Sequence, residues 1–116
     1  AAATINIAIL MLEKGENPWA AVNQANGAIA LAPEDPLVHC TIGRAYYAMG
    51  KYANARFAYE TALKFGPDSP DVNYYAGINY VKDGKPDLAR IHLQKALSLG
   101  LSGKLRSAAE SELRKL

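Results

Sequence analysis

The sequence is poor in cysteine, in excess charge of either sign and in catalytic clusters, and each shortage removes a class of function. Cys40 is the single cysteine among 116 residues, so neither an internal disulfide nor a multi-cysteine zinc site is available. Thirteen basic residues stand against eleven acidic ones, a formal net charge of +2. Both signs are scattered along the chain, so no basic block exists to track a nucleic-acid backbone or an anionic membrane. Residues 1–12 carry no charge, but twelve apolar-leaning residues are too few to cross a bilayer. They also lack the positive start and cleavage context of a secretion signal. The chain opens on Ala1 rather than methionine, and a fragment of a longer protein is the expectation. No histidine and carboxylate cluster has metal-ligand spacing, and no glycine-rich phosphate loop is present. His39 and Cys40 are adjacent, but neighbours on a helix point about 100° apart and make a poor base and nucleophile pair. His92 belongs to a different helical stripe. The expectation is a chain with no catalytic, cofactor or metal site.

What the sequence does have is the composition of a folded domain and a repeat. Half its residues are apolar and about a fifth are charged, which is ordinary for a single globular domain of this length. Offsetting the chain by 34 residues superposes Ala21, Ala55 and Ala89, then Ala28, Ala62 and Ala96, then Ile29, Leu63 and Leu97, then Leu31, Phe65 and Leu99. The second and third copies also share Pro36 with Pro70, Val38 with Val72, Gly43 with Gly77, Tyr46 with Tyr80, Gly50-Lys51 with Gly84-Lys85, and Arg56 with Arg90. A fixed register of this length marks a repeat architecture. Each copy reads as two amphipathic helices joined by a tight turn. In the second copy Val38, Ile42, Ala45, Tyr46 and Met49 form one stripe, and Tyr52, Ala55, Tyr59, Ala62 and Leu63 form the next. Asp35-Pro36 and Ser69-Pro70 are helix starts with a capping side chain before a first-turn proline. Pro18 and Pro86 mark further starts, and Gly66 and Gly100 mark ends. Small residues at Gly43, Gly77 and the alanine columns let helix backbones approach closely while Tyr46, Tyr59 and Tyr80 fill the space beside them.

The run Ile42-Gly43-x-x-Tyr46, Ala55-x-x-x-Tyr59, Ala62 and Pro67 resembles the tetratricopeptide signature, as does Ala76-Gly77-x-x-Tyr80, Ala89, Leu93 and Ala96. The third copy departs at Leu101, where the family usually has proline. The first copy matches through Ala21, Ala25, Ala28 and Pro33, but Ile9 stands where glycine is expected. Gly15 precedes Ala21 by one residue more than Gly50 precedes Ala55, and one extra turn residue would move Ala8 into the small slot. The resemblance implies an all-α solenoid filling residues 1–116, with three helix-turn-helix repeats at about 2–35, 36–69 and 70–103 and a capping helix at about 104–116. Leu105, Ala109, Leu113 and Leu116 make the apolar stripe of that cap. At the other end, Ile5, Ile9 and Leu12 form one stripe and Ile7, Leu10 and Met11 another. Such a helix is apolar around most of its circumference and calls for two neighbours, the second being an upstream repeat or another copy of the chain.

In this family the first helices of successive units line a concave groove for an extended or helical segment, so the resemblance implies a protein-protein interaction module working within a larger assembly. The alternative is a structural or self-assembling segment of a longer superhelix. Carrying groove positions across gives Leu37, Cys40, Thr41, Arg44 and Tyr47 from the second unit, with Asp71, Tyr74, Tyr75, Ile78, Val81 and Lys82 from the third. Asn6 and Leu10 are the first unit's contribution. Tyrosine gives broad, rigid contact and arginine gives planar donors, which singles out Arg44, Tyr47 and Tyr74. Cys40 is expected as a groove thiol open to reagents. One branch of the family grips the C-terminal carboxylate of chaperones with asparagine, lysine and arginine. The matching slots here hold Asn6, Leu10, Thr41, Asp71 and Tyr75, and Asp71 would repel a carboxylate. The partner expected is a protein or peptide, without nucleic acid and without membrane insertion.

Overall fold

Capping chemistry at the proline-led helix starts sets the frame of the structure, a computed structural model that describes residues 2–116, with side chains from residue 4 onward. Seven helices run in order: α1 Ala2–Glu13, α2 Pro18–Ile29, α3 Pro36–Ala48, α4 Tyr52–Phe65, α5 Pro70–Lys82, α6 Pro86–Ser98 and α7 Gly103–Lys115. Proline occupies the first turn of α2, α3, α5 and α6, where its missing N–H deprives no helical bond. Side-chain oxygens of Asn17, Asp35 and Ser69 accept from the N–H groups of Trp19, Leu37 and Val72 at 3.0, 2.9 and 3.3 Å. At the ends of α3 and α5 the chain reverses through Gly50 and Gly84, with φ of 75° and 73°. This left-handed conformation costs glycine little. Lys51 then donates to the Tyr46 carbonyl and Lys85 to that of Tyr80, both at 2.9 Å, closing the free carbonyls of each helix end.

The architecture is all-α, built from helix-turn-helix pairs: α1 packs on α2, α3 on α4 and α5 on α6. A side chain packed directly on a glycine backbone holds each of the later two pairs. A Cβ added at Gly43 would lie 2.6 Å from the Tyr59 ring, and one at Gly77 would lie 2.8 Å from Leu93. Both distances are below van der Waals contact, so only hydrogen fits there. The first pair solves the same problem differently. Ala8, fully buried, takes the small slot as the one-residue shift of Gly15 implied. The position one repeat before Tyr59 is Ala25, which is fully buried as well. Ala21, Ala28, Ala55, Ala62, Ala89 and Ala96 are all fully buried, so the alanine columns are packing surfaces.

Successive pairs stack unevenly, and that unevenness makes a face. The backbones of α1 and α3 approach each other, as do those of α3 and α5, and of α5 and α7, whereas those of α2 and α4, and of α4 and α6, stand farther apart among the described residues. The odd-numbered helices therefore converge on the concave side and the even-numbered ones splay on the convex side. Leu101, where the resemblance expected proline, is buried with Leu93, Ala96 and Ala109, and Leu105 and Leu113 of α7 pack on that cluster with Leu116 just beyond the helix. Buried polar groups tie one pair to the next. Asn73 donates to the carbonyls of Pro67 and Ser69 at 3.0 and 2.9 Å and accepts from His92 Nδ1 at 3.0 Å. Asn79 donates to the Tyr52 carbonyl at 3.0 Å, joining α5 to the start of α4. Burial, followed by the nearby Lys95 charge, lowers the His92 pKa, so the ring bonds Asn73 as a neutral donor at neutral pH.

The contact at Gly43 yields a double-mutant test. In an open helix Gly→Ala would stabilise by about 1 kcal/mol, but overpacking against a buried ring costs about 1–3 kcal/mol. We expect Gly43→Ala to destabilise the chain by roughly 1–2 kcal/mol in urea unfolding. In a Tyr59→Ala background the same change should turn neutral or stabilising. Equal costs in the two backgrounds would show that the ring does not set this contact.

Candidate functional site

Convergence of the odd-numbered helices leaves a groove along the concave face, and its side chains come from four elements. Arg44, Tyr47 and Ala48 of α3, Tyr74, Tyr75 and Ile78 of α5, Leu12 of α1 and Tyr59 of α4 surround one cavity of about 250 Å³. A second cavity of about 340 Å³ lies alongside, lined by Ile9 and Glu13 of α1, Leu37, Cys40, Thr41 and Arg44 of α3, and Asp71, Val72 and Tyr75 of α5. Arg44 and Tyr75 line both. The Arg44 guanidinium lies over the Tyr75 ring, 4.6 Å from its centroid, an arrangement worth about 0.5–1 kcal/mol at a partly exposed site.

The tyrosines hold one another in place. Tyr74 and Tyr75 meet edge to face at 5.1 Å, and Tyr47 meets Tyr52 in the same way at 5.4 Å, the geometry that aromatic quadrupoles favour. Tyr47 and Tyr75 also pack on the core cluster around Ala55 and Ala76, and Tyr74 and Ile78 pack on the one around Leu93. Each ring is thus half core and half groove wall. Burial pushes the Tyr47 and Tyr74 hydroxyls up, and adjoining tyrosines and Glu112 of α7 add to it. Burial also raises the Tyr75 hydroxyl, with Arg44 opposing and Cys40, Asp71 and Glu13 adding. All three remain neutral hydrogen-bonding groups at ordinary pH.

The structure brings together Arg44, Tyr47, Tyr74, Tyr75 and Ile78 around the first cavity and Leu37, Cys40, Thr41 and Asp71 around the second. Lys82 lies elsewhere: it is exposed at the last position of α5 and lines neither cavity. Val81 packs against the core, while Asn6 and Leu10 are exposed outside both cavities. Cys40 also departs from expectation. It is only 3 % exposed, and burial, opposed by Arg44 and aided by Asp71, drives its pKa up to about 12. The thiol is floor rather than reagent, because the thiolate is the reactive form. It does not meet a base. His39 Nε2 lies 2.8 Å from the Pro33 carbonyl and its ring stacks on Phe65, while His92 is engaged with Asn73. Among the described residues no group of three histidine, cysteine or acidic side chains could hold a metal ion, and no helix is long and apolar enough to cross a membrane.

Several lining residues were not anticipated. Tyr59 reads from the sequence as filler between helices, yet its ring reaches the first cavity from α4. Leu12, Ile9 and Glu13 enter from α1 and Ala48 from α3. The apolar stripe Ile5, Ile9 and Leu12 was the available signal, but only the angle between α1 and α3 decides which of its members reach the groove.

Comparison with known proteins follows the same lines. The family model described as TPR repeat matches residues 43–84, which run from the buried Gly43 to the turn at Gly84. No curated protein matches the sequence. Among solved structures, the Yersinia enterocolitica type III secretion chaperone SycD, in complex with a peptide of the translocator YopD, is 19% identical with a TM-score of 0.84, covering 98% of this chain and 89% of its own. The first TPR domain of human RPAP3 is 18% identical with a TM-score of 0.87, covering 98% and 87%. Its second TPR domain, in complex with an HSP70 peptide, is also 18% identical with a TM-score of 0.83, covering 100% and 96%. At these identities the likeness is one of fold.

The buried thiol provides a check on the groove floor. We expect the native protein to leave Ellman's reagent largely unconsumed over minutes, with one thiol per chain reacting promptly in denaturant. Rapid stoichiometric labelling of the native chain would place Cys40 at the surface.

Proposed function

We propose, from the premise that this chain belongs to the tetratricopeptide-repeat family, that it is a protein-protein interaction module whose concave groove holds a peptide segment of another protein. Three helix-turn-helix units, residues 2–35, 36–69 and 70–103, present that groove, and residues 104–116 cap the stack. The carrying observation is the cavity between α3 and α5, walled by Arg44, Tyr47, Tyr74, Tyr75 and Ile78. Rings already ordered by one another lose little entropy when a ligand settles on them, and arginine and tyrosine are the residue types that dominate interface energetics. SycD and the second domain of RPAP3 were each solved with a peptide, and a groove of the same architecture is the natural seat for one here. Asp71 on the wall sets this groove apart from one built to hold a terminal carboxylate. The expected setting is a larger assembly in which this chain holds a partner in place.

Replacing Arg44 and Tyr74 together by alanine is expected to weaken a specific peptide by about 2 kcal/mol or more, roughly 30-fold in Kd. Circular dichroism should show the helices retained. Specific binders that all stay attached to the double variant in a pull-down would place the site elsewhere.

A second reading rests on α1. Ile7 and Leu10 are 48 % and 52 % exposed, while Ile5 and Ala8 on the opposite side are buried. The exposed stripe suits stacking against a further repeat or another copy of the chain. Multi-angle light scattering should then show association that rises with concentration and is lost in Ile7→Glu. A strict monomer at all concentrations would remove self-association.

A further inference from the structure

The groove is two compartments rather than one trough, and their chemistry differs. Arg44 stacked on Tyr75 forms the wall between them, since these two side chains line both cavities. Beyond that wall the first compartment is tyrosine, leucine, isoleucine and alanine, with room for one large apolar side chain and no carboxylate in its lining. The second carries two carboxylates from separate helices, Glu13 of α1 and Asp71 in the first turn of α5. Among the described residues the backbones of α1 and α5 stay apart while both pack on α3, so the two acids flank the groove from either side.

Arg44 sets one positive charge against those two acids, and the N-terminal ends of α3 and α5 are met by their own capping groups. Arg44 is turned onto the Tyr75 ring and makes no ion pair among the described residues. The positive N-terminal ends of α3 and α5 open on this compartment, but Asp35 accepts from Leu37 and Ser69 accepts from Val72, which offsets the helix dipoles there. Glu13 and Asp71 form no ion pair among the described residues either. Two carboxylates against one guanidinium leave the compartment with a net negative charge, which complements a cation.

Resting on the groove reading above, we infer that the groove selects a segment pairing one large apolar side chain with a lysine or arginine: the apolar group enters the tyrosine compartment and the cation lies between Glu13 and Asp71. The two compartments adjoin, so their occupants come from neighbouring positions on one face of the ligand. Side chains on one face of an extended strand recur every second residue, about 7 Å apart, and those on a helix meet at three or four residues. The basic residue stands two residues from the apolar one in an extended ligand and three or four away in a helical one.

A phage-displayed random dodecapeptide library selected on the immobilised full chain tests this, with fluorescence polarisation of the enriched peptides on three proteins. Peptides lost on Tyr74→Ala define groove binders. They are expected to carry the apolar and basic pair, to weaken about tenfold on Glu13→Gln/Asp71→Asn, and to weaken further with added salt. Groove binders that lack lysine and arginine, that are enriched in acidic residues, or that bind the double variant unchanged would overturn the charge assignment while leaving the groove in place. If no enriched peptide depends on Tyr74, the groove reading fails and this inference goes with it.

Discussion

Everything in this chain depends on a helix backbone meeting a side chain of its partner helix closer than any Cβ would allow. At Gly43 the neighbouring surface is the Tyr59 ring and at Gly77 it is Leu93, and each contact fixes how far one helix of a pair sits from the other. Once that distance is set, the alanine columns can bury completely and dispersion contacts accumulate at crystal-like density. The first pair reaches the same end with Ala8 in the small slot and Ala25, rather than a ring, one repeat before Tyr59.

From that contact follows the groove. Helix pairs of fixed thickness stack with their first helices converging and their second helices splayed, which leaves the concave face lined by α1, α3, α5 and α7. The tyrosines there do two things at once. Their inner edges pack on the core and their outer surfaces line the cavity. Ring orientation is thereby set before any ligand arrives, which is the condition under which contact area becomes affinity instead of being spent on ordering.

Polar groups in the core govern how one pair sits on the next. Asn73 closes the loop that enters α5 and reaches His92 of α6, and Asn79 reaches back to Tyr52 at the head of α4. Apolar surfaces slide at little cost, whereas a buried amide out of register loses its partner and its desolvation is uncompensated. Asn79 thus acts as a registration pin between neighbouring pairs, while Asn73 joins the two helices of one pair and the loop before it. They belong to an architecture whose stability is a sum of units and nearest-neighbour interfaces.

Helices, their starts and their turns were legible in the sequence because they rest on short-range chemistry: an oxygen-bearing cap before a proline, a stripe at helical period, a glycine after it. Repetition then fixed how one pair relates to the next, and even the one-residue offset that puts Ala8 in the small slot could be read from the position of Gly15. The groove was legible as a face, through Arg44, Tyr47, Tyr74 and Tyr75, but not as a surface with depth. Cys40 and Thr41 lie on its floor, Lys82 lies outside it, and Tyr59, Leu12 and Glu13 enter it from helices that no local pattern assigns there. Period and caps tell which side of a helix is apolar. Only the crossing of three or four helices decides which of those side chains are covered and which are left facing the space between them.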